Sequence, residues 1–157
     1  MKRIAAVLMV AGIAFTGTAC MTVRTLGSAG PPPPCDGNGV CKIDVGVTLC
    51  YITATPSTQN VTKKNGIDIF WDLELQSGYR FHPTDGIKIK PNQPDSSEFV
   101  DPQWLANGKK FKLTDKNSKA KPGEKSINHY SIKVQLQGIG GNWVDCGPYD
   151  PIIINEG

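Results

Sequence analysis

Three stretches of this chain alternate apolar and polar residues with a period of two, and none holds a long helical period. Period two sends successive side chains to opposite faces, so each stretch reads as a half-buried β-strand. In KIDVGVTLCYI, Ile43, Val45, Val47, Leu49 and Tyr51 share one face, and Asp44, Gly46, Thr48 and Cys50 the other. IDIFWDLE follows the turn pair Asn65-Gly66 and sets Ile67, Ile69, Trp71 and Leu73 against Asp68, Phe70, Asp72 and Glu74. In YSIKVQL, Tyr130, Ile132, Val134 and Leu136 alternate with polar residues. A one-residue slip would expose each apolar set, which pins the register. Ile69, Trp71, Leu73, Tyr130, Ile132 and Val134 are therefore the expected common core.

Shorter strands are expected at Tyr79–Phe81, Ile87–Ile89 and Phe111–Leu113, then at Asn142–Cys146 and Ile152–Ile154. Only SSEFVDPQWLANG has room for a helical turn or two. Many short strands separated by turn residues predict an all-β, two-sheet sandwich. The expected organisation is a signal peptide over 1–19, a tether with a small cysteine loop over 20–41, and one sandwich domain over 42–157.

The leader rests on Lys2 and Arg3 followed by the uncharged run IAAVLMVAGIAF. That run is too short to span a bilayer, which takes roughly 20 apolar residues, and it has the build of an export signal. Gly17-Thr18-Ala19-Cys20 suits ordinary cleavage after Ala19, and it also resembles the lipobox of bacterial lipoproteins. That resemblance implies a lipidated Cys20 as first mature residue. It further implies membrane attachment through covalent lipid; Met21, in place of aspartate, points to the outer membrane. Simple secretion to the periplasm or beyond, with an unpaired Cys20, is the alternative. The following MTVRTLGSAGPPPP ends in four prolines, which favour an extended, semi-rigid spacer.

IDIFWDL, GYRF, DGIKI, GKKFKLTDKN, YSIKV and DPIIIN together resemble small bacterial envelope proteins with an immunoglobulin-like β-sandwich. The likeness spans roughly Lys42 to Asn155. It implies fold rather than chemistry, and it brings no catalytic residue. Tyr130 reads either as the corner tyrosine of that fold or as an ordinary half-buried strand residue.

Five cysteines, Cys20, Cys35, Cys41, Cys50 and Cys146, make an odd count. Lipidation of Cys20 leaves four, enough for two bridges in an oxidising compartment. Three pairings are open. The loop Asp36–Val40 can bring Cys35 to Cys41, so the expected pairing is Cys35–Cys41 with Cys50–Cys146. Cys50 lies on the polar side of its strand, which calls for a bulge after Leu49 or a peripheral bridge.

Of the chain's 17 basic residues, removal of Lys2 and Arg3 leaves 15 against 14 acidic ones. That near neutrality argues against a nucleic-acid binder. His82 and His129 lack ligand spacing, and no Cys-x-x-Cys occurs, so neither a metal nor any other cofactor is expected. Asp36-x-Asn38 starts like a calcium loop, but Val40 breaks the acidic series. Asp68, Asp72 and Glu74 share a strand face and read as solvated surface. No Gly-x-Ser-x-Gly elbow marks a hydrolase.

Lys109, Lys110, Lys112, Lys116, Lys119, Lys121 and Lys125 crowd one segment against Asp115 and Glu124. They read as a soluble hairpin protected from edge pairing, or as a contact for anionic polymers or headgroups. The expected function is thus a non-enzymatic envelope lipoprotein that presents a binding surface to a protein or an anionic polymer. The alternative is an exported enzyme or enzyme inhibitor with a site assembled from loop residues.

Overall fold

A computed structural model describes residues 35–36, 38–62, 66–73 and 77–157. The signal peptide, Cys20 and the proline spacer lie outside the described residues, as do Asn65 and Glu74. No helix among the described residues is long and apolar enough to cross a membrane.

The chain is all-β. Its strands are β1 (Val40–Thr48), β2 (Tyr51–Thr55), β3 (Thr58–Val61), β4 (Ile67–Asp72), β5 (Tyr79–Phe81) and β6 (Ile87–Ile89). They continue with β7 (Phe99–Leu105), β8 (Lys110–Asp115), β9 (Lys125–Ile132), β10 (Val134–Gln137), β11 (Trp143–Asp145) and β12 (Ile152–Glu156). One sheet runs β2-β1-β4-β8-β7. The facing layer comprises β3-β12-β9-β6 and β11-β10-β5, and only Lys133 separates β9 from β10. Two pairings, β1 with β4 and β3 with β12, are parallel, unlike the wholly antiparallel sheets of the immunoglobulin pattern.

The expected core forms as a unit: Ile69, Trp71, Leu73, Tyr130, Ile132 and Val134 are all fully buried in one cluster. Trp71 of β4 meets Tyr130 of β9 edge-on, with ring centroids 5.4 Å apart, and its indole Nε1 donates to the tyrosine hydroxyl at 3.1 Å. That pair satisfies two polar groups in the apolar interior and locks the layers together. Tyr130 is thus a core tyrosine bonded to tryptophan. Phe81 and Phe111 make a second edge-on contact between the layers, at 6.2 Å.

The first alternating stretch is two strands, not one. Leu49 and Cys50 adopt φ of 49° and 64°, and this two-residue left-handed turn folds β2 back on β1, pairing Thr48 with Tyr51. Leu49 and Tyr51 are consequently exposed, at 90 % and 72 %, instead of joining Ile43, Val45 and Val47 inside. A tight turn reverses the chain, so face parity does not carry across it. The turn, rather than a bulge, also presents Cys50. SSEFVDPQWLANG likewise holds a strand, β7, between single 3-10 turns at Ser96–Glu98 and Ala106–Gly108.

Both expected disulfides are present. Cys35–Cys41 closes the small loop, with Cα atoms 4.4 Å apart. Cys50–Cys146 ties the β1–β2 turn to the chain just after β11, with Cα atoms 4.9 Å apart. β1 begins at Val40 and Cys41 is buried, so the small loop is fastened to the sandwich.

Candidate functional site

Exposed apolar side chains stand on either side of the Cys50–Cys146 bridge along the chain. Leu49 and Tyr51 flank one half-cystine, and Val144, 55 % exposed, stands two residues before the other. Ile139 is fully exposed in the turn joining β10 to β11. Sequence parity put Leu49 and Tyr51 on one face with Ile43, Val45 and Val47; the signal for their exposure is the turn, which lacks the usual Asn or Gly. Non-glycine residues in left-handed conformation cost roughly 1 kcal/mol or more each, and strain of this kind concentrates at working surfaces.

β2 continues this end as an edge of the five-stranded sheet. Its sequence, YITAT, has no charge and no proline, and Tyr51, Thr53 and Thr55 are exposed. The opposite edge, β7, is blunted: it carries Pro102, a register shift between Val100 and Gln103, and Asp101 at φ 55°. Prolines and bulges are the usual defence of an edge against added strands. β2 has neither.

The lysine segment is laced to carboxylates and backbone. Lys110 lies 2.8 Å from Asp72, and Lys112 2.7 Å from Asp68, both across the β4–β8 pairing. Burial pushes the Asp68 carboxyl up, but hydrogen bonds from Lys112 and Thr114 hold it below its ordinary value. Lys109 donates to the Tyr79 carbonyl at 2.5 Å, and burial lowers its pKa. Lys119 reaches Ser97 at 2.7 Å and Glu98 at 3.8 Å; Lys121 faces Glu124 at 3.9 Å; Lys125 meets Glu156 at 2.6 Å. Lys116 is exposed, and its charge helps lower the Glu98 pKa. Asp68 is half-buried and Asp72 only 3 % exposed, so these carboxylates are partners of the lysines rather than solvated surface.

The histidines stand apart. His82 Nδ1 accepts from the Asp85 amide at 3.1 Å, which leaves Nε2 facing Asp145 at 3.8 Å. Asp145 is itself held by Gln135 at 2.8 Å and Lys133 at 3.0 Å, which lower its pKa. Arg80 bonds the other end of Gln135 at 2.9 Å and stacks 4.0 Å above Trp143, a surface cation–π contact that periodicity does not announce. The His129 side chain is exposed. In the small cysteine loop, Asp36 Oδ1 accepts from the amides of Asn38 and Val40 at 2.9 and 2.8 Å, making a capped turn.

One polar group lies inside the sandwich, at the end opposite the β1–β2 turn. Asp115 ends β8 fully buried, and Asn155 of β12 is fully buried facing it. Asp95, Asn128 and Glu98 are buried nearby. Strand parity could have found this cluster, since Asp115 follows Phe111 and Leu113 on the inward face and Asn155 follows Ile153. Burial raises the Asp115 carboxyl to about 6, against the Asn117 amide and Asn155 bonds that lower it; Asp95 and Glu98 push it further up.

No protein-family model matches the sequence, and no curated protein matches it either.

Proposed function

We propose that this chain is a non-enzymatic envelope protein, exported and lipid-anchored at Cys20, whose β-sandwich binds a protein partner at the β1–β2 end. The observation that carries the reading is the uncharged, undefended β2 edge beside exposed Leu49 and Tyr51. An extended segment of a partner can add to such an edge through main-chain hydrogen bonds, while apolar pockets select its side chains. Fastening the turn to Cys146 holds the edge in place before binding, which lowers the ordering cost of association. The two disulfides support an oxidising compartment outside the cytoplasm. A protein partner is favoured over an anionic polymer because the lysines are largely engaged with carboxylates within the chain.

The Cys20→Ser chain, purified in soluble form, should capture a defined protein from envelope extracts. Placing lysines at the edge, Tyr51→Lys with Thr53→Lys, should reduce capture at least tenfold with little change in melting temperature, because both side chains face solvent. Capture that survives these changes would move the binding surface elsewhere, and capture of nothing would remove the binding reading.

Anchoring has its own test. Cys20→Ser should shift the protein from the membrane fraction to the soluble one, or leave it uncleaved, without altering the fold. A single acyl chain holds only marginally, so firm attachment takes two or more. Mass spectrometry of the amino terminus should find those chains on Cys20; a bare Cys20 after ordinary cleavage overturns the anchor.

A further inference from the structure

We propose that the buried cluster built on Asp95, Asp115 and Asn155 binds a hard divalent cation, calcium by its chemistry. This site is separate from the binding end of β1 and β2 and does not rest on that reading. It lies between the layers: Asp115 sits in β8 between Ile67 of β4 and Phe99 of β7, and Asn155 sits in β12 between Val61 of β3 and Ser126 of β9.

The unmet requirement is negative charge without a counter-charge. Asp115 is fully buried and Asp95 is 7 % exposed, and no lysine, arginine or histidine among the described residues forms an ion pair with either. Isolated buried carboxylates are strongly unfavourable unless neutralised. Asp115 Oδ1 accepts from the Asn117 amide at 3.0 Å and from Asn155 Nδ2 at 3.4 Å. Asp115 Oδ2 is buried with no hydrogen-bond partner, and so is Asn155 Oδ1. Asp95 Oδ2 takes Asn128 Nδ2 at 3.4 Å and Asn155 Nδ2 at 3.5 Å, and also accepts from Ser126 Oγ.

The Asn155 amide nitrogen therefore sits between the two carboxylates, reaching both over distances too long for strong hydrogen bonds. It stands where positive charge is wanted. Turning that amide over would replace its nitrogen with an oxygen donor and complete a carboxylate–amide–carboxylate set. One proton would leave one of the two carboxylates charged; one divalent ion balances both. Among the described residues no three of His, Cys, Asp and Glu converge, so the donors are two carboxylates filled out by amide and hydroxyl oxygens. An all-oxygen set selects calcium or magnesium over zinc or copper, and calcium accepts irregular geometry more readily than magnesium.

The test is thermal unfolding of the full chain in EDTA and in calcium chloride, with calorimetric titration for stoichiometry. Calcium at about a hundredfold its dissociation constant should raise the midpoint by roughly 5–10 °C, with one ion bound per chain. Asp115→Asn should melt at or above the parent in EDTA and lose the calcium response, whereas Asp44→Asn on the surface should keep it. Asn155→Asp, which adds a third carboxylate, should melt lower than the parent in EDTA, recover in calcium, and bind the ion at least tenfold more tightly. If Asp115→Asn fails to fold, the Asn155→Asp pair of measurements decides. No response to calcium or magnesium in the parent overturns the proposal. So does an unchanged response in Asp115→Asn, or an Asn155→Asp chain that stays low in calcium.

Discussion

Replacing Trp71 with alanine is expected to lower the unfolding free energy by about 3–5 kcal/mol, the range for deleting a large aromatic from a tight core. Trp71 is fully buried where the two layers meet, and its loss opens a cavity beside Tyr130. It also strips the Tyr130 hydroxyl of the indole that bonds it, and a buried hydroxyl left without its partner costs about 1–3 kcal/mol. Burial already raises the Tyr130 pKa, so ionisation offers no relief. Trp71→Phe separates the two effects, since it keeps most of the packing and loses only the hydrogen bond. Urea unfolding followed by circular dichroism gives both values. A Trp71→Ala chain as stable as the parent would contradict the packing described here.

The second large effect is expected from the long disulfide. Cys50 and Cys146 are 96 residues apart, so their bridge removes much of the freedom of the unfolded chain, worth ~4–5 kcal/mol in the loop-entropy account. Cys35 and Cys41 are 6 apart, and the same account gives about 2 kcal/mol. Paired serine substitutions at each bridge, compared by chemical unfolding, should reproduce that order. Equal losses would mean that native contacts around the bridges, and not chain freedom, set their contribution.

What could be read from the sequence followed from where parity holds. In β4, β9 and β10 the alternation runs without a turn, so Ile69, Trp71, Tyr130, Ile132 and Val134 fell on the correct face. In the first stretch the alternation runs on through a reversal of the chain, so it puts Leu49 and Tyr51 on the wrong face. The turn there uses leucine and cysteine in a conformation that usually signals itself by Asn-Gly. β7 escaped notice because its sequence, FVDPQWL, contains a proline, and proline is tolerated only at an edge. The buried polar cluster has no single run to announce it: Asp95, Asp115, Asn128 and Asn155 come from segments far apart in the chain. The lysines were legible as a charge run, but their partners lie on β4, on β12 and around Ser96–Glu98, far along the chain.

The length of β1 gives the molecule a polarity. The strand enters at Val40, beside the bridge that fastens the amino-terminal loop, and leaves at Thr48, where the Leu49-Cys50 turn begins. Eight steps along an extended strand cover roughly 26 Å. Val40, where the strand begins, and the apolar tip therefore lie at opposite ends of β1. β1 carries the tip away from the small cysteine loop, like a lamp on a post. A partner approaching from the far side would meet Leu49, Tyr51 and the β2 edge first, while the buried carboxylates stay at the foot.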